Sequence, residues 1–435
     1  MSGDRYAPTS GDSDISVLSY QLKLRYKVAT NRLDAEAVLN VRANTRLVEF
    51  RLDLVGLTAS RVRVDGAKRT SFRNGARKLS IRPGQAIEAG TQFEVSVRYA
   101  GRPEPRNSRW GRVGWEELAD GVLVGSQPVG APTWFPCNDL PGDKASYLIE
   151  LTCEDAYTVV APGQLIGRVP ASGRTTWTFD QQIPTASYLV AVHIGRYRSD
   201  PLALGSVPGS VHYPAELARP VAAELAGLPA MMALFEDCFG AYPLGRYDVV
   251  VTPDVLEIPL EAQGMAVFGA NHLDGSHREE RLVAHELAHQ WFGNSVGLRR
   301  WQDIWLNEGF CCYAEWLWSE ASGGPSCQQM AKQHWALLAE LPQDLVLADP
   351  GAELMFDDRV YKRGALTLHA LRRTVGDDCF FTILRSWVAA RHHASGITEE
   401  FIALAEGVAD QDLGQLFDQW LRQPALPKLS ARGRP

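Results

Sequence analysis

The sequence predicts an α+β protein in which an antiparallel β domain precedes a mainly helical domain. From about Leu18 to Gly195, apolar and polar residues alternate in short runs, with the period of half-buried strands. Helical periodicity follows a stretch rich in Pro, Gly and Ser near residues 200–210. We therefore expect domains at 1–202 and 203–435. The 435 residues, 45% of them hydrophobic, are enough for two or three domain cores.

The strands of the first domain are indicated by their alternation and by the turns between them. Tyr20–Tyr26, Glu36–Arg42 and Phe93–Tyr99 largely alternate apolar with polar residues. Turn-forming dipeptides such as Asp65–Gly66 and Asn74–Gly75 separate such runs. This arrangement predicts short strands joined by tight turns.

The second domain opens with a helical pattern over Pro220–Phe239. Pro229 predicts a kink or break there, because proline has no N–H to donate. Tyr247–Thr252 is mostly apolar and predicts a buried strand, and further helices are expected up to Trp420.

Charge and cysteine content narrow the class of protein. The net charge of −7 predicts neither nucleic acid nor an anionic membrane as a partner. The seven cysteines are irregularly spaced, which is not typical of a disulfide framework. The polar start lacks a signal-peptide pattern, and no apolar run approaches the roughly 20 residues of a membrane span. We expect a cytoplasmic protein; its oligomeric state is not indicated.

The segment from Ser276 to Gly293 carries an HExxH motif. Ser276 and Glu279 fit a capping box, which predicts a helix of about four turns. His285 and His289 are four residues apart, so they project from one helix face and can share a metal ion. Glu286 lies about 100° round the helix from His285, where it can act as a base toward water at the metal.

Glu308 is the predicted third ligand. It follows His289 after eighteen intervening residues, at the start of a second helical stretch that ends near Gly323. Two histidines and a glutamate are a catalytic zinc set that leaves one position for water. A chance HExxH has a probability on the order of 1%, so we predict one zinc ion per chain.

These residues resemble the aminopeptidase N family of gluzincin zinc metallopeptidases, in a short form without the C-terminal helical domain of many relatives. The resemblance covers nearly the whole chain and includes three further blocks: Pro132–Ala145, Val360–Ala365 and Phe417–Pro427. It implies a saddle-like N-terminal β domain and a thermolysin-like catalytic domain. It also implies a site more open than in longer relatives, or one closed by another subunit.

The resemblance implies roles that spacing alone does not assign. Tyr361 matches the tyrosine that stabilises the oxyanion, a contribution of about 2.7–4 kcal/mol to the transition state. Glu261 matches the glutamate of the exopeptidase motif, and Gln127 matches a polar residue that also holds the substrate amine. The usual Gly-Ala of that motif is replaced by Ile258–Pro259 and its Asn by Ala262, so the edge that bonds an extended peptide is altered.

The function predicted is that of a zinc-dependent aminopeptidase acting on peptides with a free N-terminus. Two alternatives stay open: a zinc endopeptidase or other zinc hydrolase on the same fold, and a peptide-binding scaffold without catalysis. Glu315 and Asp303 are candidates for orienting a ligating imidazole. Glu257 is either a surface residue or a group that attracts a basic N-terminal side chain.

Overall fold

A computed structural model of the chain describes residues 3–429. The chain divides into two compact units. The first comprises Met1–Pro201, Ser210–Ala218 and Gly245–Asn271, and the second comprises Leu202–Gly209, Arg219–Leu244 and His272–Pro435. The predicted single boundary near residue 203 is therefore too simple. Later strands return to the first unit because they pair in a sheet with a strand at Arg198–Pro201.

Strands dominate the described part of the first unit. In chain order they are β1 (Ile15–Lys27), β2 (Arg32–Ala43), β3 (Phe50–Asp53), β4 (Thr58–Val64), β5 (Thr70–Asn74), β6 (Lys78–Pro83), β7 (Gln92–Gly101), β8 (Arg106–Ser108), β9 (Gly111–Leu118), β10 (Gly121–Gly125), β11 (Lys144–Glu154), β12 (Thr158–Val160), β13 (Gln164–Ala171), β14 (Arg174–Ala186), β15 (His193–Gly195), β16 (Arg198–Pro201), β17 (Gly209–Tyr213), β18 (Tyr247–Thr252), β19 (Leu260–Ala262) and β20 (Met265–Gly269).

These strands form four sheets within the described residues. Their orders are β13-β14-β11-β1-β2-β7-β4, β12-β15-β10-β9-β8, β3-β6-β5 and β16-β17-β18-β20-β19. Most pairs are antiparallel, as predicted, but β1 pairs with β11 and β18 with β20 in parallel. Parallel strands need a long connection between them, so their pairing cannot be predicted from the alternation of residues in neighbouring runs.

The alternation in β1 and β11 becomes a buried face. Leu22, Leu24 and Leu151 are at most 1% exposed, and Tyr20 stacks on Tyr147 with ring centroids 4.8 Å apart. These side chains belong to one hydrophobic cluster that runs from β1 to β20. The returning strands therefore share the core of the first unit.

The block Pro132–Ala145 forms a buried polar network in the first unit. The Asn138 side chain donates to Asp143 Oδ2 at 2.7 Å and accepts the backbone N–H of Asp12 at 2.6 Å. Asp139 accepts a hydrogen bond of 2.7 Å from the Ser187 hydroxyl. These bonds fasten the N-terminal segment to the sheets, which gives the block a structural role.

Helices dominate the described part of the second unit. They are α1 (Ala218–Glu224), α2 (Leu228–Phe239), α3 (Glu280–Ala288), α4 (Trp305–Ala321), α5 (Cys327–Ala339), α6 (Asp358–Val375), α7 (Asp377–Ala390), α8 (Thr398–Ala409) and α9 (Gly414–Phe417), with a π-helical turn at Asp418–Arg422 and the short parallel strands β21 (Gly297–Leu298) and β22 (Ser395–Gly396).

The break predicted at Pro229 is confirmed. Helix α1 ends at Glu224, a 3-10 turn follows, and α2 begins at Leu228 with Pro229 in its first turn. The stretch Ala215–Phe239 nevertheless has the length and mean hydropathy, 1.2, of a possible membrane span. The sequence-based statement that no such run exists was wrong, although core helices of soluble proteins meet the same criterion.

The helix with the HExxH motif is shorter than predicted. Helix α3 begins at Glu280, and the capping box of Ser276 with Glu279 does not form. Instead the Ser276 N–H donates to Asp274 Oδ1 at 2.9 Å, and its hydroxyl accepts from Arg278 Nε at 2.9 Å. Local turn bonds therefore compete successfully with the cap.

Candidate active site

Helices α3 and α4 bring the three predicted metal ligands together in the second unit. Glu308 Oε2 lies 3.4 Å from His285 Nε2 and 3.5 Å from His289 Nε2. All three side chains are buried, and their ligand atoms lie within 4.8 Å of one another. His285 on α3 and His289 at its C-cap are four residues apart, and Glu308 is in the first turn of α4; these positions produce the convergence.

Close contact between α4 and α6 places Tyr361 beside this cluster. A Cβ atom added to Gly309 would lie 2.8 Å from Gly364 Cα, so only glycine allows the two backbones to approach this far. Tyr361 then stacks on His285, with ring centroids 6.0 Å apart at an interplanar angle of 23°. The glycines after Glu308 and after Tyr361 thus position two functional side chains.

A second set of contacts fixes the two imidazole rings. His285 Nδ1 lies 2.7 Å from Glu315 Oε1, and His289 Nδ1 lies 3.1 Å from the Phe292 carbonyl oxygen. Both partners are acceptors, so each Nδ1 donates, and Nε2 is the nitrogen of each ring that is left to bind a metal ion once it is deprotonated. Glu315 is therefore confirmed as an orienting residue.

The resulting donor set fits a divalent cation. The two Nε2 atoms and the Glu308 carboxylate face one another, an arrangement that a positive charge stabilises, whether it comes from a proton on an imidazole or from a bound cation. Imidazole and carboxylate are ligands typical of catalytic zinc. The residues present therefore match the ion that the sequence predicts.

The electrostatics of the cluster favour the same conclusion. Burial alone would lower the pKa of His285, but Glu308 and Glu315 raise it to about 9. Burial would raise the pKa of Glu308, but the two imidazoles hold it at about 2. The carboxylates are thus ionised and create a negative field at the Nε2 atoms.

Glu286 lies on α3 directly after His285 and is 4% exposed. Adjacent residues of a helix lie about 100° apart round its axis, so Glu286 leaves α3 in a different direction from His285. The Glu286 carbonyl accepts a hydrogen bond of 3.2 Å from Gln290 Nε2, which stabilises the end of α3.

Gln127 and Glu261 lie together in the first unit. Gln127 Nε2 donates to Glu261 Oε1 at 2.6 Å, although the two residues are 134 positions apart. Glu261 is on β19, the edge strand of its sheet, and Pro259 precedes that strand. The preceding loop is held by Asn271, which bonds both backbone groups of Leu256 at 3.0 Å.

Of the positions where the motif departs, Ile258 is exposed, whereas Pro259 and Ala262 are buried. Ile258 is 63% exposed, and Glu257 is also exposed. The surface assignment of Glu257 thus agrees with its exposure in this structure.

Asp303 does not orient a ligand. Its carboxylate accepts a hydrogen bond from the Thr398 hydroxyl at 2.7 Å and pairs with Arg300 at 2.9 Å, so it fastens the start of α4 to α8.

The sequence analysis did not identify Arg281, whose Nη1 lies 3.3 Å from Glu315 Oε2. Its position four residues before His285 was the available signal, because such residues share a helix face.

Arg363 joins two of the blocks that carried the resemblance. It is 4% exposed, and its guanidinium donates to the carbonyls of Trp420 at 2.9 Å and Leu345 at 3.2 Å. The block around Tyr361 is thereby fixed to the C-terminal block Phe417–Pro427.

Comparisons with known proteins agree with this geometry. Residues 17–189 match the peptidase M1 N-terminal domain, and residues 224–420 match the peptidase family M1 domain. A solved M1 zinc metallopeptidase from Deinococcus radiodurans, a variant bound to a Tyr-Ser-Ala substrate, is 31% identical, with a TM-score of 0.90 over 99% of both chains. The chain belongs to the peptidase M1 family.

Other M1 relatives define how far the similarity extends. A two-domain M1 zinc metallopeptidase bound to L-arginine is 30% identical, with a TM-score of 0.90 over 100% of both chains. Human endoplasmic reticulum aminopeptidase 1 is 30% identical over 72% of this chain and 38% of its own length. Glutamyl aminopeptidase of Bitis rhinoceros is 27% identical over 70% of this chain and 34% of its own length. This M1 chain thus spans about a third of the length of the curated relatives that it matches.

Proposed function

We propose that this M1 chain is a zinc-dependent aminopeptidase that hydrolyses the first peptide bond of peptides with a free N-terminus. The observation that carries the proposal is the convergence of His285 Nε2, His289 Nε2 and Glu308 Oε2. Each imidazole ring is held in place by a hydrogen bond at its Nδ1. The M1 relatives with peptide or amino acid bound support a peptide substrate.

The side chains around this cluster each have a separate role in hydrolysis. One zinc ion per chain, bound by the three ligands, would polarise the scissile carbonyl and lower the pKa of a water molecule. Glu286 accepts the proton of the attacking water and delivers it to the leaving amine. Tyr361 donates a hydrogen bond to the oxyanion.

Gln127 and Glu261 are proposed to hold the α-ammonium group of the substrate. The amide oxygen and the carboxylate are both acceptors suited to an ammonium group, and their 2.6 Å contact fixes them relative to each other. A fixed anchor for the first residue limits cleavage to one residue from the chain end.

The test compares free and N-acetylated peptides with and without zinc. Removal of metal by a chelator should abolish hydrolysis, and added zinc should restore it. Hydrolysis of free-amine peptides should fall by at least about tenfold in Glu261→Ala, because a charge-assisted contact is lost. Glu257→Ala, which removes an exposed carboxylate four residues away, serves as the matched control.

The alternatives give different results in the same assay. A zinc endopeptidase would cleave acetylated and free peptides equally, and Glu261→Ala would affect both alike. A binding scaffold would retain zinc and peptide but release no amino acid. Either result would refute the proposal.

We further propose that the protein acts in the cytoplasm. All seven cysteines are free thiols, the state that a reducing compartment favours. Fractionation of the source cells with an antibody would test this, and recovery outside the cytoplasm would contradict it.

A further inference from the structure

The segment before β19 carries an exposed apolar side chain close to the amine-binding pair of the first unit. Ile258 is 63% exposed, among the highest values for large apolar side chains in residues 3–429. It precedes Glu261 by three positions, so at most about 11 Å of extended chain separates the two residues. A peptide whose ammonium group is bound at Glu261 therefore passes within a few residues of Ile258.

The backbone around Ile258 is fixed on both sides. Asn271 bonds the N–H and the carbonyl of Leu256, each at 3.0 Å. Leu260 pairs with Val267 in β20, and it packs so closely on Gly125 that a Cβ added there would lie 2.9 Å from Leu260 Cδ1. Ile258 is thus presented from a segment anchored at both ends, which limits the entropy lost when a ligand contacts it.

The position of β19 gives a bound peptide one direction in which to extend. In the described sheet β19 is an edge strand, and edge strands bind extended peptides through their free backbone groups. The residue after β19, Gln263, is fully buried, and its N–H donates to the Leu189 carbonyl at 3.0 Å. That end of the strand is closed, so a peptide held at Glu261 extends toward Ile258.

Pro259 changes what the edge offers at this end. Proline has no N–H, so residue 259 cannot donate a hydrogen bond to a peptide that lies alongside. Backbone pairing is weaker as a result, and side-chain contact becomes the larger contribution. The side chain available next to Pro259 is that of Ile258, and its burial against another apolar group is favourable.

We propose that Ile258 selects peptides that have an apolar side chain in their second, third or fourth residue. An extended peptide advances about 3.3 Å per residue, so these residues cover the distance from Glu261 to Ile258. A large apolar side chain there removes Ile258 from water. The inference rests on the proposed function, because it requires the ammonium group to be bound at Glu261 and Gln127.

The experiment measures alanine release by the zinc-loaded protein from pentapeptides based on Ala-Gly-Gly-Gly-Gly. Leucine or asparagine, which are similar in size, replaces the glycine at position two, three or four in turn. At one of these positions the wild type should have a kcat/KM about threefold to tenfold higher for leucine. In Ile258→Ser this ratio should approach one through a change in KM, because the contact is equal in the ground state and the transition state.

Two variants serve as controls. Ile258→Leu keeps an apolar side chain and should retain the preference for leucine. Val48→Ser removes a side chain that is also 63% exposed but lies outside this segment, and it should behave like the wild type. A wild type without any preference for leucine would overturn the proposal, and so would an unchanged preference in Ile258→Ser.

The proposed function can fail separately from this inference. If no peptide releases alanine, the assignment as an aminopeptidase is wrong. Calorimetric binding of the same peptides then tests the contact, and a threefold to tenfold loss of affinity for the leucine peptide in Ile258→Ser would support it. Absent binding, or an affinity that the substitution does not change, would overturn it.

Discussion

Glu286 on α3 and Glu315 on α4 are the same residue type but have different roles at the site. Glu315 contacts His285 Nδ1 at 2.7 Å and Arg281 at 3.3 Å, and these partners hold its pKa at about 2 although burial alone would raise it. It is a permanent acceptor that fixes an imidazole ring. Glu286 follows His285 on α3 and is the side chain proposed to move the proton.

Glu286→Gln should retain zinc and lose most turnover. Glutamine keeps the shape of the side chain but cannot accept a proton, and a general base typically contributes about 10²–10⁴-fold to the rate. Steady-state kinetics and a metal assay on the same sample are the measurements. Activity within a few-fold of the wild type would exclude Glu286 as the base.

Glu315→Gln should weaken zinc binding by about 10–100-fold, because the amide holds the His285 ring less firmly than the carboxylate does. Competition with a chromophoric chelator measures this affinity directly. Glu320→Gln, on the same helix α4 but outside the metal cluster, is the control and should bind zinc like the wild type. An unchanged zinc affinity in Glu315→Gln would remove its assigned role.

At the scale of elements, the site depends on how closely α4 and α6 pack. Gly309 and Gly364 lie in backbone contact, and Tyr361 is only three residues before Gly364. Arg363, next to that glycine, binds carbonyls of the π-helical turn and so holds α6 against the C-terminal segment. The two helices therefore form a rigid support for the ligand Glu308 and for Tyr361.

Gly364→Ala should destabilise the protein by about 1–3 kcal/mol and lower kcat, because the new methyl group must push the helices apart. A Cβ there would lie 2.6 Å from Gly309 Cα. Gly407→Ala is the matched control: it lies in α8 with no atom within 4 Å of the added Cβ. This control should stabilise by up to about 1 kcal/mol. Thermal unfolding of both variants measures the difference, and equal effects would contradict the packing argument.

At the scale of the whole molecule, a buried group of charges makes stability depend on pH. Burial and the nearby Asp53 raise the pKa of Asp139 to about 7. Asp53 itself pairs with Lys78 at 2.6 Å. An acid whose pKa is higher in the folded state binds its proton more tightly there, so its contribution to stability falls as pH rises from about 4 to 7.

Asp139→Asn should therefore flatten the decrease in stability between pH 5 and pH 7. The amide oxygen can still accept the Ser187 hydroxyl, so the hydrogen bond is retained while the titrating group is removed. Unfolding free energies across this pH range are the measurement. Asp34→Asn, whose side chain is 62% exposed, is the control and should follow the wild type. Parallel pH profiles for Asp139→Asn and the wild type would contradict the assignment.

The sequence alone was sufficient to predict those features that depend on the spacing of residues within one segment. The metal ligands depend on the four-residue interval from His285 in α3 to His289 at its C-cap and on one glutamate at the start of α4, and both features are readable from residue order. Strand alternation predicted the β-rich first unit for the same reason, and Pro229 predicted the break between α1 and α2 because proline lacks an N–H. The family resemblance added Tyr361, Glu261 and Gln127.

Tertiary structure alone decided which distant groups meet. The partner of Gln127 is 134 residues away, and the choice of Glu315 over Asp303 depends on how α3 packs against α4. The capping box did not form because Ser276 makes its hydrogen bonds with Asp274 and Arg278 instead. Strands β18–β20 belong to the first unit, although they come late in the chain, because they are part of a sheet with β16 and β17. Local sequence fixes which groups a segment offers, but competition among all possible partners in the folded chain selects the contacts.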